Sequence, residues 1–213
     1  MASSCFEFSG QRFSLEDLSP FFVTKGSERF CFISPVNKNQ LIKLSPKNRA
    51  KQTKRELNYF QFLQKKNIPF LHIPSFFGKV ENEQYLGLVQ QKIQSQDGQD
   101  ASPLCECFSK EEKVTRQEVC ALFCFCYRYN ILPCDLNRNN ILVQKTPEGA
   151  KWILVDGLGC TDFIPLAQYW PWWGRKKIIR KFYRFINGEE KLRILFKNSA
   201  EIKQYLLQLA QSL

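Results

Sequence analysis

The residues whose types and spacing could do chemistry lie between positions 133 and 159. Asp135 is followed five positions later by Asn140, and Asp156 stands directly before Gly157. Carboxylate and amide oxygens are hard ligands, which suit Mg²⁺ carrying a nucleotide phosphate. By itself, an Asp-x4-Asn motif is also typical of a turn that precedes a strand. The surrounding elements must therefore decide between a metal site and a turn.

Two apolar runs separate Asn140 from Asp156 and predict a β-hairpin. The runs are residues 141–143 and 152–155, and a turn at 146–149 joins them. Because the two strands have similar lengths, the hairpin should return Asp156 towards Asn140. Two carboxylates and an amide oxygen then converge on one small volume. Protein kinases use the same order of motifs, in which they supply a catalytic Asp and two metal ligands.

A lysine and a glutamate in the first half of the chain could complete such a site. Lys43 lies inside an apolar strand predicted over residues 40–44, where it could hold phosphates or simply face solvent. Residues 47–66 have helical periodicity, and Glu56 is the only acidic residue between Lys43 and Asn67. If Lys43 has a buried partner on this helix, that partner must be Glu56.

Residues 21–33 predict two strands around a turn that contains Gly26 and Ser27. A protein kinase places several glycines here to close over phosphates. This chain offers only Gly26, so a phosphate contact would rely on a few backbone N–H groups and on Ser27. Taken alone, the hairpin favours a structural role.

The remaining pattern predicts two lobes, residues 1–92 and 93–213, within one kinase-like domain. Strands at 76–80 and 85–92 complete the first lobe. They lead into a polar stretch near residues 90–103, which we interpret as the connection between the lobes.

Three helices are predicted in the second lobe. Residues 111–129 are too apolar for a surface helix and should form its buried spine. Residues 175–186 form an amphipathic helix, and a final helix runs from about Glu189 or Ser199 to the C-terminus. The amphipathic helix and the tryptophans at 170–173 could lie on an anionic membrane surface. We favour packing on the second lobe, with the tryptophans covering it and the cations in water. Those cations are Lys177, Arg180, Lys181 and Arg184.

Length and charge limit the classes of partner. The 213 residues carry a net charge of +11, which favours an anionic partner such as a nucleotide, a lipid head group, lipopolysaccharide or nucleic acid. The sequence contains no recognisable nucleic-acid-binding motif that would support nucleic acid as the partner. No apolar run is long enough to span a bilayer, and the N-terminus lacks the pattern of a signal peptide. We therefore expect a cytoplasmic location.

The nine cysteines agree with that location. Their number is odd, and three lie inside an apolar helical pattern, which is typical of reduced thiols that pack as small apolar residues. Four could be arranged as a zinc site, although their spacings match no standard ligand pattern. Those four are Cys105, Cys107, Cys120 and Cys124.

The sequence resembles a small protein-kinase-like fold and, more closely, the bacterial YrbL family, which is named for the PhoP regulatory network. The resemblance runs from position 43 to 186. Its last block lies where an ordinary kinase has its activation segment and is the most specific to the family. The resemblance rests on KRELNYFQFL, IPSFFGKVENEQYLGLV, NNILV, and FIPLAQYWPWWGRKK leading into IRKFYRFI.

The chain departs from the kinase pattern around its motifs. Pro133-Cys134 stands where kinases have His-Arg, and Asn137 stands in place of a lysine, with Arg138 beside it. Residues 156–159 read Asp-Gly-Leu-Gly instead of beginning Asp-Phe-Gly, and no Ala-Pro-Glu signature follows. These departures weaken the case for a protein substrate but leave the metal and nucleotide ligands intact.

The resemblance implies an α+β, two-lobed protein-kinase-like fold, with a small β-rich N-lobe containing one helix and a reduced helical C-lobe. It implies an ATP- and Mg²⁺-dependent phosphotransferase acting on an unidentified hydroxyl acceptor, which could be a non-protein molecule. The alternative is a pseudokinase that serves a regulatory protein partner without turnover. The implied roles are phosphate binding by Lys43, Gly26, Ser27 and Arg138, orientation of Lys43 by Glu56, Mg²⁺ binding by Asn140 and Asp156, and proton acceptance by Asp135.

Overall fold

A computed structural model describes residues 5–26, 28–159 and 166–213. These residues fall into two compact units, the first within residues 1–69 and 74–93 and the second within residues 70–73 and 94–213. The first unit is rich in strands and the second is mainly helical, which confirms the predicted α+β class.

The first unit contains an antiparallel five-stranded sheet of order β3-β4-β5-β7-β6. Within it, Cys31 pairs with Lys43, and Lys43 pairs with Leu88. The predicted strands are therefore present, and Lys43 lies in the central strand. The strands are β3 (Phe22–Lys25), β4 (Phe30–Ile33), β5 (Gln40–Pro46), β6 (Phe76–Glu81) and β7 (Tyr85–Gln91).

The helix α2 (Lys51–Lys65) packs beside this sheet. Its hydroxyl-bearing residue Thr53 contacts Ser45 of β5, with 2.7 Å between Oγ1 and Oγ. Because strand side chains alternate between faces, Lys43 points to the same face as Ser45. The predicted helix over 47–66 begins later because a 3₁₀ turn occupies Lys47–Arg49.

A short N-terminal hairpin, which the sequence analysis did not identify, covers the other face of the sheet. It consists of β1 (Phe6–Phe8) and β2 (Gln11–Phe13), followed by α1 (Leu15–Leu18). A capping box between Ser14 and Asp17 begins α1. Side chains from these elements join those of the sheet strands in one buried cluster, which contains Phe6, Phe13, Leu18, Phe32, Ile42, Leu44, Val80 and Val89.

The second unit combines a three-stranded sheet of order β10-β9-β8 with helices. The predicted hairpin is present, and Trp152 pairs with Val143 within it. The connection predicted near residues 90–103 contains the first strand of this sheet. The elements up to the hairpin are β8 (Ser102–Pro103), α3 (Leu104–Ser109), α4 (Arg116–Tyr129), β9 (Ile141–Thr146) and β10 (Gly149–Leu154).

Helix α4 is the buried helix that the apolar pattern predicted. It begins at Arg116 rather than 111, because Thr115 and Glu118 form a capping box. It ends at Asn130, whose left-handed backbone (φ 53°) stops the helix. Its buried side chains are Val119, Leu122, Phe123, Phe125 and Cys126.

Four helical segments complete the second unit. Helix α6 buries Ile178 and Phe182 and contacts α4 and α8. The final helix α8 begins after Asn198, whose side chain accepts a hydrogen bond from the N–H of Glu201. None of the helices in the described residues is long and apolar enough to cross a membrane. The segments are α5 (Leu166–Tyr169), α6 (Pro171–Gly188), α7 (Glu190–Arg193) and α8 (Ser199–Gln211).

The aromatic residues at the start of α6 do not cover the second unit as expected. Tyr169, Trp170, Trp172 and Trp173 are 46–66% exposed. Proline stands at the start of α6, and Ile178 is the first large apolar side chain that the helix buries. Pro165 lies outside the described residues.

Candidate functional site

Asn140 holds Asp135 through its amide group. The Nδ2 atom of Asn140 donates to the backbone oxygen of Asp135 at 2.9 Å and to its Oδ2 at 3.0 Å. The Oδ1 atom of Asn137 accepts the backbone N–H groups of Asn139 and Asn140 at 2.9 and 3.2 Å. The Asp-x4-Asn motif is therefore a turn and, at the same time, a rigid support for one carboxylate.

The hairpin brings the backbone at Asp156 to this loop. The N–H of Val155 donates to the carbonyl of Asn140 at 2.9 Å. The carbonyl of Gly157 accepts from the N–H groups of Cys134 and Asp135 at 2.7 and 3.2 Å. Asp156 Oδ1 in turn accepts the N–H of Gly157 at 2.6 Å. As the hairpin argument predicted, Asp135, Asn140 and Asp156 lie in one hydrogen-bonded network.

Gly157 is required for this close approach. Its φ of +69° favours glycine, and an added Cβ would lie 2.8 Å from both the Cβ and the backbone oxygen of Asp135. A larger residue would have to displace the loop that carries Asp135. The replacement of the kinase Phe by glycine at this position therefore has a local steric reason.

In the first unit, Glu56 and Lys43 are both buried, at 2% and 7% exposure. The Oε2 atom of Glu56 is in close contact with Nη1 of Arg29, forming a buried ion pair. Its Oε1 atom is buried and has no hydrogen-bond partner among the described residues. The only acidic residue of its helix is therefore buried, and the sequence analysis did not identify Arg29 as its partner.

Strand pairing explains why Arg29 reaches Glu56. Cys31 pairs with Lys43, so Arg29 is two residues before a position opposite Lys43. Residues 29, 31, 43 and 45 thus face the same side of the sheet, and α2 lies on that side. Two cations of the first unit, Arg29 and Lys43, consequently point to the face that carries Glu56.

The predicted phosphate-contacting turn is a short connection between β3 and β4. Gly26 is exposed, and its N–H donates to the carbonyl of Arg29 at 2.8 Å. Ser27 lies outside the described residues. The N–H of Gly26 is therefore used within the turn, and a phosphate would have to compete with the Arg29 carbonyl for it.

Arg138 and Lys181 lie beside the Asp135 loop in the second unit. Arg138 Nη1 pairs with Oε2 of Glu189 at 3.3 Å. Lys181 Nζ, on α6, donates to the backbone oxygen of Cys134 at 2.5 Å. The sequence analysis placed Lys181 among solvent-facing cations, because its helical position alone does not show what faces it.

The donor set of the second unit fits Mg²⁺. Asp156 has a carboxylate and Asn140 an amide oxygen, and it is the amide nitrogen of Asn140 that holds Asp135. Magnesium takes oxygen ligands and usually binds through one or two carboxylates plus phosphate. Within the described ranges, no three His, Cys, Asp or Glu residues cluster as a metal site. The described cysteines are free thiols.

A profile of the family described as PhoP regulatory network protein YrbL matches residues 16–190. The chain belongs to the YrbL family. Its similar proteins include YrbL of Escherichia coli (strain K12) and YrbL of Shigella flexneri. Each is 28% identical over 181 residues, covering 81% of this chain and 85% of the relative.

Solved structures show that this YrbL-family chain has a protein-kinase-like fold. Rad53 1-466 in complex with AMP-PNP matches with a TM-score of 0.57 and 12% identity, over 88% of this chain and 50% of that chain. WbdD bound to a kinase inhibitor matches with a TM-score of 0.53 and 14% identity, over 89% of this chain and 45% of that chain. The PknI kinase domain of Mycobacterium tuberculosis matches with a TM-score of 0.51 and 10% identity, over 89% of this chain and 93% of that chain. The YrbL-family chain thus spans about half the length of the Rad53 and WbdD chains.

Proposed function

We propose that this chain is an ATP- and Mg²⁺-dependent phosphotransferase that acts on a hydroxyl acceptor. The observation that carries the proposal is the hydrogen-bonded network joining Asp135, Asn140 and the Asp156-Gly157 pair. It provides one oriented carboxylate and two further oxygen donors on a rigid support. Rad53, which has a similar fold, was solved with AMP-PNP, and this supports a nucleotide as the phosphate donor.

Asp135 is the proposed proton acceptor. The acceptor hydroxyl oxygen forms a bond to the γ-phosphorus while its proton passes to a carboxylate oxygen of Asp135. The bond between the γ-phosphorus and the β–γ bridging oxygen breaks, and ADP leaves with that electron pair. Asn140 contributes by holding the Asp135 carboxylate through Nδ2, which fixes its direction before the acceptor binds.

Asn140 Oδ1 and the Asp156 carboxylate are the groups that would hold Mg²⁺. When bound there, the ion would neutralise negative charge on the phosphate groups. Lys43 would hold the α and β phosphates, and the turn at Gly26 and Ser27 would add contacts to them. These roles follow the order of the motifs in the chain.

Glu56 and Arg138 keep proposed roles that their contacts restrict. Glu56 would orient Lys43, sharing its carboxylate between Lys43 and Arg29. Arg138 would replace the lysine missing after Asp135, and it would have to exchange Glu189 for phosphate to do so. Each of these two side chains already has an ion-pair partner, so each would have to share or exchange that partner to take its proposed role.

A pseudokinase is the second candidate function, and the Arg29–Glu56 ion pair favours it. In an active kinase the glutamate of this helix pairs with the phosphate-binding lysine. Here Arg29 already contacts the buried carboxylate. A regulatory module that binds nucleotide and acts through a protein partner would tolerate this arrangement.

The first experiment tests nucleotide binding by thermal unfolding. Mg-ATP at about a hundred times its dissociation constant should stabilise the wild type by about 2.7 kcal/mol. Asp156→Asn should abolish the shift because it removes an anionic metal ligand. Asp97→Asn is the matched control, since Asp97 is exposed on the polar stretch of the second unit. If wild-type stability does not change with Mg-ATP, no nucleotide site exists.

The second experiment separates the enzyme from the pseudokinase. Asp135→Asn should retain the Mg-ATP shift, because Asp135 faces the acceptor hydroxyl. It should lower ADP formation by about 10²-fold or more, the usual scale for loss of a general base. Equal rates in the wild type and Asp135→Asn, together with an intact shift, would establish the pseudokinase.

ATP and free thiols are typical of the cytoplasm, where we place either activity.

A further inference from the structure

A cavity of about 280 Å³ opens beside Asp135, within the second unit. The loop at residues 135–137 forms one wall. The other wall is the last part of α6 and the residue that follows it. Those lining residues are Lys181, Arg184, Phe185, Gly188 and Glu189.

Helical spacing brings the second wall together. Residues 184, 185 and 188 lie three, four and seven positions after Lys181, which places them on the same side of α6 as Lys181. Gly188 has open space where a Cβ would be, so the end of the helix leaves room for a ligand. A cationic helix face therefore lies across the cavity from the loop that carries Asp135.

The charges in this cavity favour an anion. Lys181 and Arg184 contribute two cations, and Lys181 is fixed by its 2.5 Å contact with the carbonyl of Cys134. Of the two lining carboxylates, Glu189 is paired with Arg138 at 3.3 Å. Asp135 is the remaining acid, and its carboxylate is held by Asn140. Arg138 does not line the cavity, but it neutralises Glu189, so the two lining cations are opposed by one unneutralised carboxylate, that of Asp135.

We propose that this cavity binds the phosphate acceptor, and that the acceptor is a small hydroxyl compound bearing a phosphate or carboxylate group. Arg184 and Lys181 hold the anionic group, since guanidinium and ammonium groups bind these anions through charge-assisted hydrogen bonds. This orientation leaves a hydroxyl for Asp135. The volume lies near the lower end of small-molecule sites, about 300–1,000 Å³, and suits a metabolite-sized ligand. The inference rests on the proposed function, because Asp135 is its proton acceptor.

The test measures anion binding without nucleotide, by calorimetry at an ionic strength of about 20 mM, where charge screening is weak. Ribose 5-phosphate and gluconate are the phosphate and carboxylate probes, and ribose is the neutral control. We expect at least one anion to bind and ribose not to bind. Arg184→Gln should weaken that binding by about tenfold or more, the effect of losing a charged hydrogen bond.

Arg180→Gln is the matched control, because Arg180 is exposed on the same helix and does not line the cavity. It should raise the anion dissociation constant much less than Arg184→Gln does, because Arg180 lies outside the cavity lining. The proposal is overturned if neither anion binds at millimolar concentration, if ribose binds equally, or if the two variants weaken binding alike.

Mg-ATP stabilisation is measured on the same samples, so that the two proposals can fail separately. Arg184→Gln should leave the Mg-ATP shift at its wild-type value. Anion binding that depends on Arg184, in a protein without a Mg-ATP shift, would overturn phosphotransfer and retain an anion site. A normal Mg-ATP shift without anion binding would overturn this acceptor class only.

Discussion

Replacing Arg29 with methionine removes the cation that pairs with Glu56 inside the first unit. The two side chains are 6% and 2% exposed, so water cannot readily replace the lost partner. Glu56 Oε1 already has no hydrogen-bond partner among the described residues, and the variant removes the donor to Oε2 as well. Breaking a buried ion pair by removing one partner costs about 3–5 kcal/mol. For a chain of this size, that corresponds to a fall in Tm of roughly 6–20 °C.

The assay is urea and thermal unfolding of the wild type, Arg29→Met, Glu56→Leu and the double variant. Apolar replacement of both partners is often neutral, so the double variant should be more stable than either single variant. Arg12→Met is the control, because Arg12 pairs with Glu7 at 3.6 Å while both are largely exposed. Its loss should cost at most about 1 kcal/mol.

Two results would refute this reasoning about Arg29. The first is a cost for Arg29→Met no greater than that for Arg12→Met, which would mean that another cation neutralises Glu56. The second is a double variant whose cost equals the sum of the two single costs, which would mean that the residues do not interact energetically.

Three further predictions concern the second unit. Gly157→Ala should lower ADP formation about tenfold or more by displacing Asp135. Gly98→Ala, at φ +80° with open space around it, is the control for backbone strain, and equal activity in the two variants would contradict the steric argument. His72, the sole histidine, has a pKa lowered from 6.5 by burial, against the opposing effect of its hydrogen bond to the carbonyl of Trp152. The unfolded chain then binds the proton first, so stability should be full above about pH 6.5 and fall below it, and His72→Gln should flatten this slope in urea titrations. The exposed aromatic residues at 169–173 and the neighbouring cations should make the protein sediment with anionic vesicles at low salt and release it at about 0.5 M salt. Failure to sediment at low salt would exclude the membrane interpretation.

The sequence by itself determined the local elements and the order of the polar motifs. Alternating and helical apolar patterns predicted the five strands of the larger sheet in the first unit, the buried helix α4 and the hairpin between Asn140 and Asp156. These features depend on residues near one another in the chain, since backbone period and turn chemistry are local properties. The hairpin could be predicted together with the contact between its ends, because two paired strands of similar length bring those ends together.

Only the tertiary structure decided which distant side chains meet. Arg29 reaches Glu56, 27 positions away, because strand pairing sets which face Arg29 occupies. Gly157 meets the backbone of Asp135 because two loops are hydrogen-bonded, and no pattern in either segment shows that contact. Lys181 looked like any cation on a helix surface until the packing of α6 placed it against the loop of Cys134. A one-residue change in the register of β4 would have removed the contact of Arg29, and a rotation of α6 would have removed that of Lys181, with every local pattern kept.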